Sequence, residues 1–156
     1  MENRVTHSTF VVERSFPKPP ETVFAAFADP ARARRWYAES EGHELDEFTS
    51  DFRVGGKQTL RYRLGPGTPV AGMTINNQAH YHAIQTNRRI VMAQTMDLED
   101  KRILAAQVTV EFLPNGTGTD LILTNQGAFF DTGLTPEMLE GGWRGLMETL
   151  SKELEN

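Results

Sequence analysis

With 156 residues, 38% of them apolar and 24% charged, the chain has the size and composition of one globular domain, 1–156, able to bury roughly 70% of its unfolded surface. A net charge of −5 argues against general nucleic-acid binding and offers no polybasic membrane anchor, and the absence of cysteine excludes disulfides, thiolate chemistry and cysteine-held metals. No apolar run approaches membrane-spanning length and residues 1–7 hold no signal-peptide core, so a cytoplasmic protein with no membrane contact is expected.

In chain order, residues 9–16 predict a first strand, with Phe10 and Val12 on one face and Val11 and Glu13 on the other. Pro17, Pro19 and Pro20 end it, because proline removes a ladder donor. Residues 21–28 read as a short helix whose buried edge is Val23, Phe24 and Phe27. Asp29-Pro30 is a cap followed by an N1 proline, which predicts a second short helix carrying Arg32, Arg34, Arg35 and Trp36.

After Gly42 the pattern turns to period two. Residues 43–49 predict a strand, and Gly55-Gly56 marks a turn. Gln58, Leu60, Tyr62 and Leu64 then alternate with Thr59, Arg61 and Arg63, the pattern of a half-buried strand with a basic outer face. Gly65-Pro66-Gly67 opens a loop to Gly72 that is expected to be mobile. Strands follow at 73–84 and 89–96, joined by a turn at 85–88 and followed by an acidic turn at 97–100. Leu104, Ala106, Val108, Val110 and Phe112 alternate with polar partners, Pro114-Asn115-Gly116 signals a hairpin, and Leu121, Leu123 and Asn125 continue the inward face. Short connections between strands imply an antiparallel meander.

The last segment is a helix. Thr135 can cap it, Pro136 suits the first helical position, and Leu139, Trp143, Leu146, Met147, Leu150 and Leu154 form one apolar stripe. Gly141, Gly142 and Gly145 each weaken it by about 1 kcal/mol relative to alanine, so packing must hold it, and glycine there leaves room for close approach or for open space. The economical arrangement is α+β: a curved antiparallel sheet wrapped around the terminal helix, with two short helices after the first strand.

This order and several local motifs resemble the helix-grip superfamily (START-like or Bet v 1-like, SRPBCC), and within it the family of the activator of heat-shock-protein-90 ATPase. The resemblance rests on Phe16-Pro17 with Val23-Phe24, Asp29-Pro30 followed by Trp36, the run Asp51-Phe52-Arg53-Val54-Gly55-Gly56, Arg89-Ile90-Val91, and Gly142-Trp143. It extends from about residue 9 to 154. Where the family often has a second tryptophan near position 36, Tyr37 stands here. The resemblance implies the helix-grip fold and a choice among hydrophobic-ligand binding, cyclase or dehydratase chemistry in the same cavity, and an interaction role with a chaperone or other protein.

For the residues themselves, the first expectation is a cavity between sheet and helix that takes a small, mostly apolar molecule. Its candidate wall is Trp36, Leu60, Tyr62, Tyr81, Met92, Leu123, Asn125, Trp143 and Leu146; for each, ordinary core packing is the competing reading. Asn125 stands out because an inward amide needs a partner. Catalysis has less support. His80 and His82 sit two apart in a strand, but a metal site needs further ligands with committed spacing, and neither Gly-rich turn precedes a helix as a phosphate loop does. No catalytic residue, metal or cofactor is therefore assigned. Arg32, Arg34, Arg35, Arg61, Arg63, Arg88 and Arg89 either form patches for an acidic partner or belong to a mixed-charge surface, and no nucleic-acid stripe is present. An edge strand near Thr9 leaves monomer and homodimer both open.

Overall fold

The computed structural model describes residues 4–39, 42–67, 69–130 and 133–156. Position 68, within the loop expected after Gly65, lies outside them. The loop's base is closed by backbone bonds, Gly72 N to Leu64 O at 2.8 Å and Leu64 N to Met73 O at 2.9 Å.

β1 (Thr6–Phe16) is followed by α1 (Pro20–Ala28), α2 (Pro30–Ala33) and a π-helical turn (Arg34–Ala38). Six strands come next: β2 (Glu44–Ser50), β3 (Lys57–Arg63), β4 (Thr74–Gln85), β5 (Arg89–Leu98), β6 (Lys101–Asn115) and β7 (Gly118–Phe129). The last element is α3 (Pro136–Leu154). The strands form one seven-stranded antiparallel sheet in the order β1-β7-β6-β5-β4-β3-β2. After β1 the chain crosses to the far edge by way of the short helices, then returns strand by strand until β7 lies against β1. Register shifts between Leu45 and Glu47, Tyr81 and Ala83, and Met96 and Asp97 mark bulges. Such bulges bend a strand and increase its twist, curving the sheet toward the helices.

The start signals act as expected. The Asp29 side chain accepts from Ala31 N at 3.0 Å, and the Thr135 hydroxyl accepts from Met138 N at 3.1 Å. The second helix departs from the expectation: it is regular only through Ala33, then widens, with Glu39 N donating to Arg34 O at 3.0 Å. In this widened turn Tyr37 lies against Trp143 of α3. The Trp36 carbonyl accepts from the Thr149 hydroxyl of α3 at 2.7 Å, so the widened turn leaves no orphan there.

The core lies between the concave face and the helices. Phe112 makes edge contacts with Phe24 at 5.4 Å and Phe27 at 5.2 Å, and Leu121, Leu123, Val108 and Val110 are fully buried. The C-terminal half of α3 contributes Met147, Leu150 and Leu154. Glu153, outside the apolar stripe, is also buried; its carboxylate takes Arg35 Nε at 3.0 Å and Nη2 at 2.8 Å, and Arg32 Nε at 3.4 Å, fastening α3 to α2 and the π-turn. Among the described residues, no helix is long and apolar enough to cross a membrane.

Candidate functional site

Away from α1, the sheet and α3 do not close completely. The inner faces of β3, β4 and β5 supply Leu60, Tyr62, Asn77, Gln94 and Met96; α3 supplies Leu139, Gly142, Trp143 and Leu146; Tyr37, Ala38 and His43 form a third side. They enclose a cavity of about 230 Å³. Exposed Gly142 and His43 edge its mouth. A methyl group added at Gly142 would meet no atom within 4 Å, so the space beside this glycine is open. The opposite rim is a close approach. His43 Nδ1 accepts from Gly65 N at 3.0 Å, and a Cβ at Gly65 would collide with the Gly42 carbonyl.

A second void, of about 20 Å³, lies beside the first, lined by Trp36, Tyr81, Met92 and neighbours; a cavity that size has room for about one water molecule. Tyr37 and Trp143 line both spaces and are stacked, with centroids 6.1 Å apart and planes inclined at 30°. They form the partition.

The expected wall residues thus fall into three groups. Leu60, Tyr62, Trp143 and Leu146 line the larger cavity. Trp36, Tyr81 and Met92 face only the small void, where Trp36 is anchored by its indole N–H to Ala26 O at 2.8 Å and Tyr81 donates to Gln58 Oε1 at 3.0 Å. Leu123 and Asn125 line neither; they lie on β7, in the half of the sheet on which α1 packs. Asn125 sits between Phe10 and Val108 on neighbouring strands, fully buried, and neither end of its amide has a partner. An orphan of this kind costs about 1–3 kcal/mol.

Tyr37, Asn77, Gln94 and His43 were not among the expected wall. Asn77 lies four positions before Tyr81 on β4 and Gln94 two after Met92 on β5, in phase with residues read as inward; polar residues in that phase were the available signal. Gln94 Nε2 donates to the Tyr37 hydroxyl at 3.3 Å, while Gln94 Oε1 and Asn77 Oδ1 are buried without partners. Burial, reinforced by the neighbouring Tyr62 and Tyr81, pushes the Tyr37 hydroxyl far above the ordinary tyrosine range; burial raises Tyr62 too. Both are neutral phenols near pH 7. Among the described residues, no Asp, Glu, Lys or Arg lines the cavity.

The other candidate features lie outside. His80 and His82 are exposed, and His82 is the extra residue of the β4 bulge. Among the described residues, no three His, Cys, Asp or Glu side chains gather as metal ligands would. Arg32, Arg34, Arg35, Arg61 and Arg63 each meet a carboxylate, which favours the mixed-charge reading of the surface.

Comparisons with known proteins agree with this geometry. No curated protein matches the chain. Among solved structures, the Mll3558 protein from Rhizobium loti is 41% identical, with 96% of this chain and 99% of that chain covered and a TM-score of 0.85. An uncharacterised protein from Rhizobium leguminosarum is 30% identical over 99% of both chains, with a TM-score of 0.89. An AHSA1-like protein from Aeromonas hydrophila, 20% identical over 95% of this chain and 92% of that one, has the same fold with a TM-score of 0.68. The family model described as "Activator of Hsp90 ATPase homolog 1-like protein" matches residues 17–155. With nearly its whole length matched, and with a curved sheet gripping α3, the chain belongs to this family of helix-grip proteins.

Proposed function

We propose that the chain, as one cytosolic domain, binds a small, mostly apolar molecule in the space between β3–β5 and the N-terminal half of α3. The observation that carries this reading is the 230 Å³ cavity itself, walled largely by aromatic and aliphatic side chains, with exposed Gly142 at its mouth, where a Cβ would meet no atom within 4 Å. An apolar lining with a few polar groups is the usual character of a ligand site. Binding is preferred to turnover because, among the described residues, no carboxylate, lysine or arginine lines the cavity, and its one histidine, His43, stands at the mouth. A chaperone-directed role is the second reading, and it rests on the family's name.

Native mass spectrometry of freshly purified protein, beside a denatured sample and a Gly142→Leu variant, tests the proposal. The wild type is expected to carry an extra mass that denaturation removes, and the leucine side chain, entering open space, should abolish it without lowering the melting temperature. A bare wild-type mass together with no binding from a small-molecule panel would overturn the reading and favour a partner pull-down. Equal occupancy in wild type and variant would place the ligand elsewhere.

A further inference from the structure

We propose that the outer face of the sheet is a self-association surface, on which a second copy of this chain packs sheet against sheet about a two-fold axis running across the strands. The cavity opens from the inner face, so this surface and the binding role above are independent of one another.

On β4, β5, β6, β7 and β1 the strand register sets the outward residues in rows. Three neighbouring rows, from Ala83 to Val11, from His80 to Thr9 and from Gln78 to His7, contain Ala, Val, Thr, Gln and His alone. Every position in them is exposed or half-buried. A chain with 24% charged residues would set several Asp, Glu, Lys or Arg on a solvent-facing panel of this extent, and this panel has none. Near its β1 edge the panel dips into an open depression over Ala105 and Ala128. Charges return at the border. Arg89, Glu111 and Glu13 lie along one end, Asp97 and Arg102 along the other, and Lys57 beside His80. An uncharged centre inside a polar, charged rim is the anatomy of a protein–protein interface.

Symmetry and charge select a second copy as the occupant. An isologous contact sets one surface against itself, so that surface must be complementary to itself. A two-fold axis along the middle row, from His80 to Thr9, lays the Arg89–Glu111 end of one copy over the Asp97–Arg102 end of the other. Arg89 then stands over Asp97 on β5, and Glu111 over Arg102 on β6, so opposite charges meet at both ends. The small side chains of Ala93, Ala105 and Ala128 allow two sheets to approach to the usual spacing of about 10 Å. Elsewhere the net charge of −5 sets two copies against each other. With strands about 4.8 Å apart and like-facing residues about 7 Å apart, the panel covers on the order of 500 Å². The rim brings this toward the roughly 800 Å² per partner of a standard interface. Association in the micromolar range is the expected strength.

Sedimentation velocity from about 1 to about 500 µM tests the proposal, because the wild-type chain should pass from monomer to dimer across that range. Gln107 is exposed and lies in the middle row, where it faces Gln107 of the other copy. Gln107→Glu and Gln107→Lys each bring like charges together there and should weaken the dimer at least tenfold. An equimolar mixture of the two variants should recover the dimer, which separates a lost contact from a misfolded chain. A wild type that stays monomeric throughout would overturn the proposal. So would a dimer that either variant leaves intact, since pairing through the β1 edge or another surface would survive both changes. Two monomeric variants whose mixture remains monomeric would overturn the two-fold arrangement, and the proposal with it.

Discussion

Trp36 illustrates how residue identity and residue role separate. It is 3% exposed, its indole N–H is bound to the Ala26 carbonyl, and its ring meets Phe27 edge-on at 4.8 Å. Trp36→Ala is therefore expected to lower stability by about 3–5 kcal/mol in a denaturant titration, the cost of an emptied aromatic site. A loss under 1 kcal/mol with intact fold would show that the ring is not part of the core. Strand alternation in the sequence identified which side chains point inward, since Leu60, Tyr62, Tyr81, Met92, Leu123 and Asn125 all lie on the concave side. It carried no information on what covers them. Leu123 and Leu60 both point to the concave face, yet Leu123 is sealed in the core and Leu60 borders open space. Tyr37 was hidden for another reason: its direction depends on the π-turn, one residue of extra width that no hydrophobic period encodes.

At the scale of elements, α3 combines a buried stripe with three glycines that touch nothing: a Cβ at Gly141, Gly142 or Gly145 would find no atom within 4 Å. None of the three has positive φ, so alanine fits the backbone at each. Gly141→Ala and Gly145→Ala should each stabilise the protein by about 1 kcal/mol, read as a higher denaturation midpoint with an unchanged slope. Neither lines the cavity, so ligand affinity should stay the same. Destabilisation by either change would mean that the helix needs backbone freedom at that point. The sequence revealed the glycines and their weakening effect on the helix; that all three lie on its exposed side rather than against a closely packed neighbour is a tertiary property.

At the scale of the whole molecule, the ion cluster around buried Glu153 makes the fold acid-sensitive. Hydrogen bonds from Arg35, then the charges of Arg35 and Arg32, hold the Glu153 carboxyl below its ordinary value of 4.5 against the opposing effect of burial. Asp120 is lowered as well, by hydrogen bonds from Ser15 and Asn115, and its Ser15 bond ties β7 to β1. Because both folded values lie below the unfolded ones, this stabilisation is complete above the ordinary carboxylate range and is lost as pH falls through the lowered values. Melting temperature should therefore drop on acidification below about pH 4.5. A Glu153→Gln variant should start lower at neutral pH and fall less steeply; an identical slope would remove Glu153 from the account. The order of strands carries a different consequence, for the way the chain is made. Phe16 pairs with Thr119 and Thr6 with Phe129, so β1, the first strand to leave a ribosome, has no neighbour until β7 follows it. Through most of synthesis it is an unpaired edge with Phe10, Val12 and Phe16 uncovered, and its closure onto β7 is the kind of long-range step that slows folding and invites association between nascent chains.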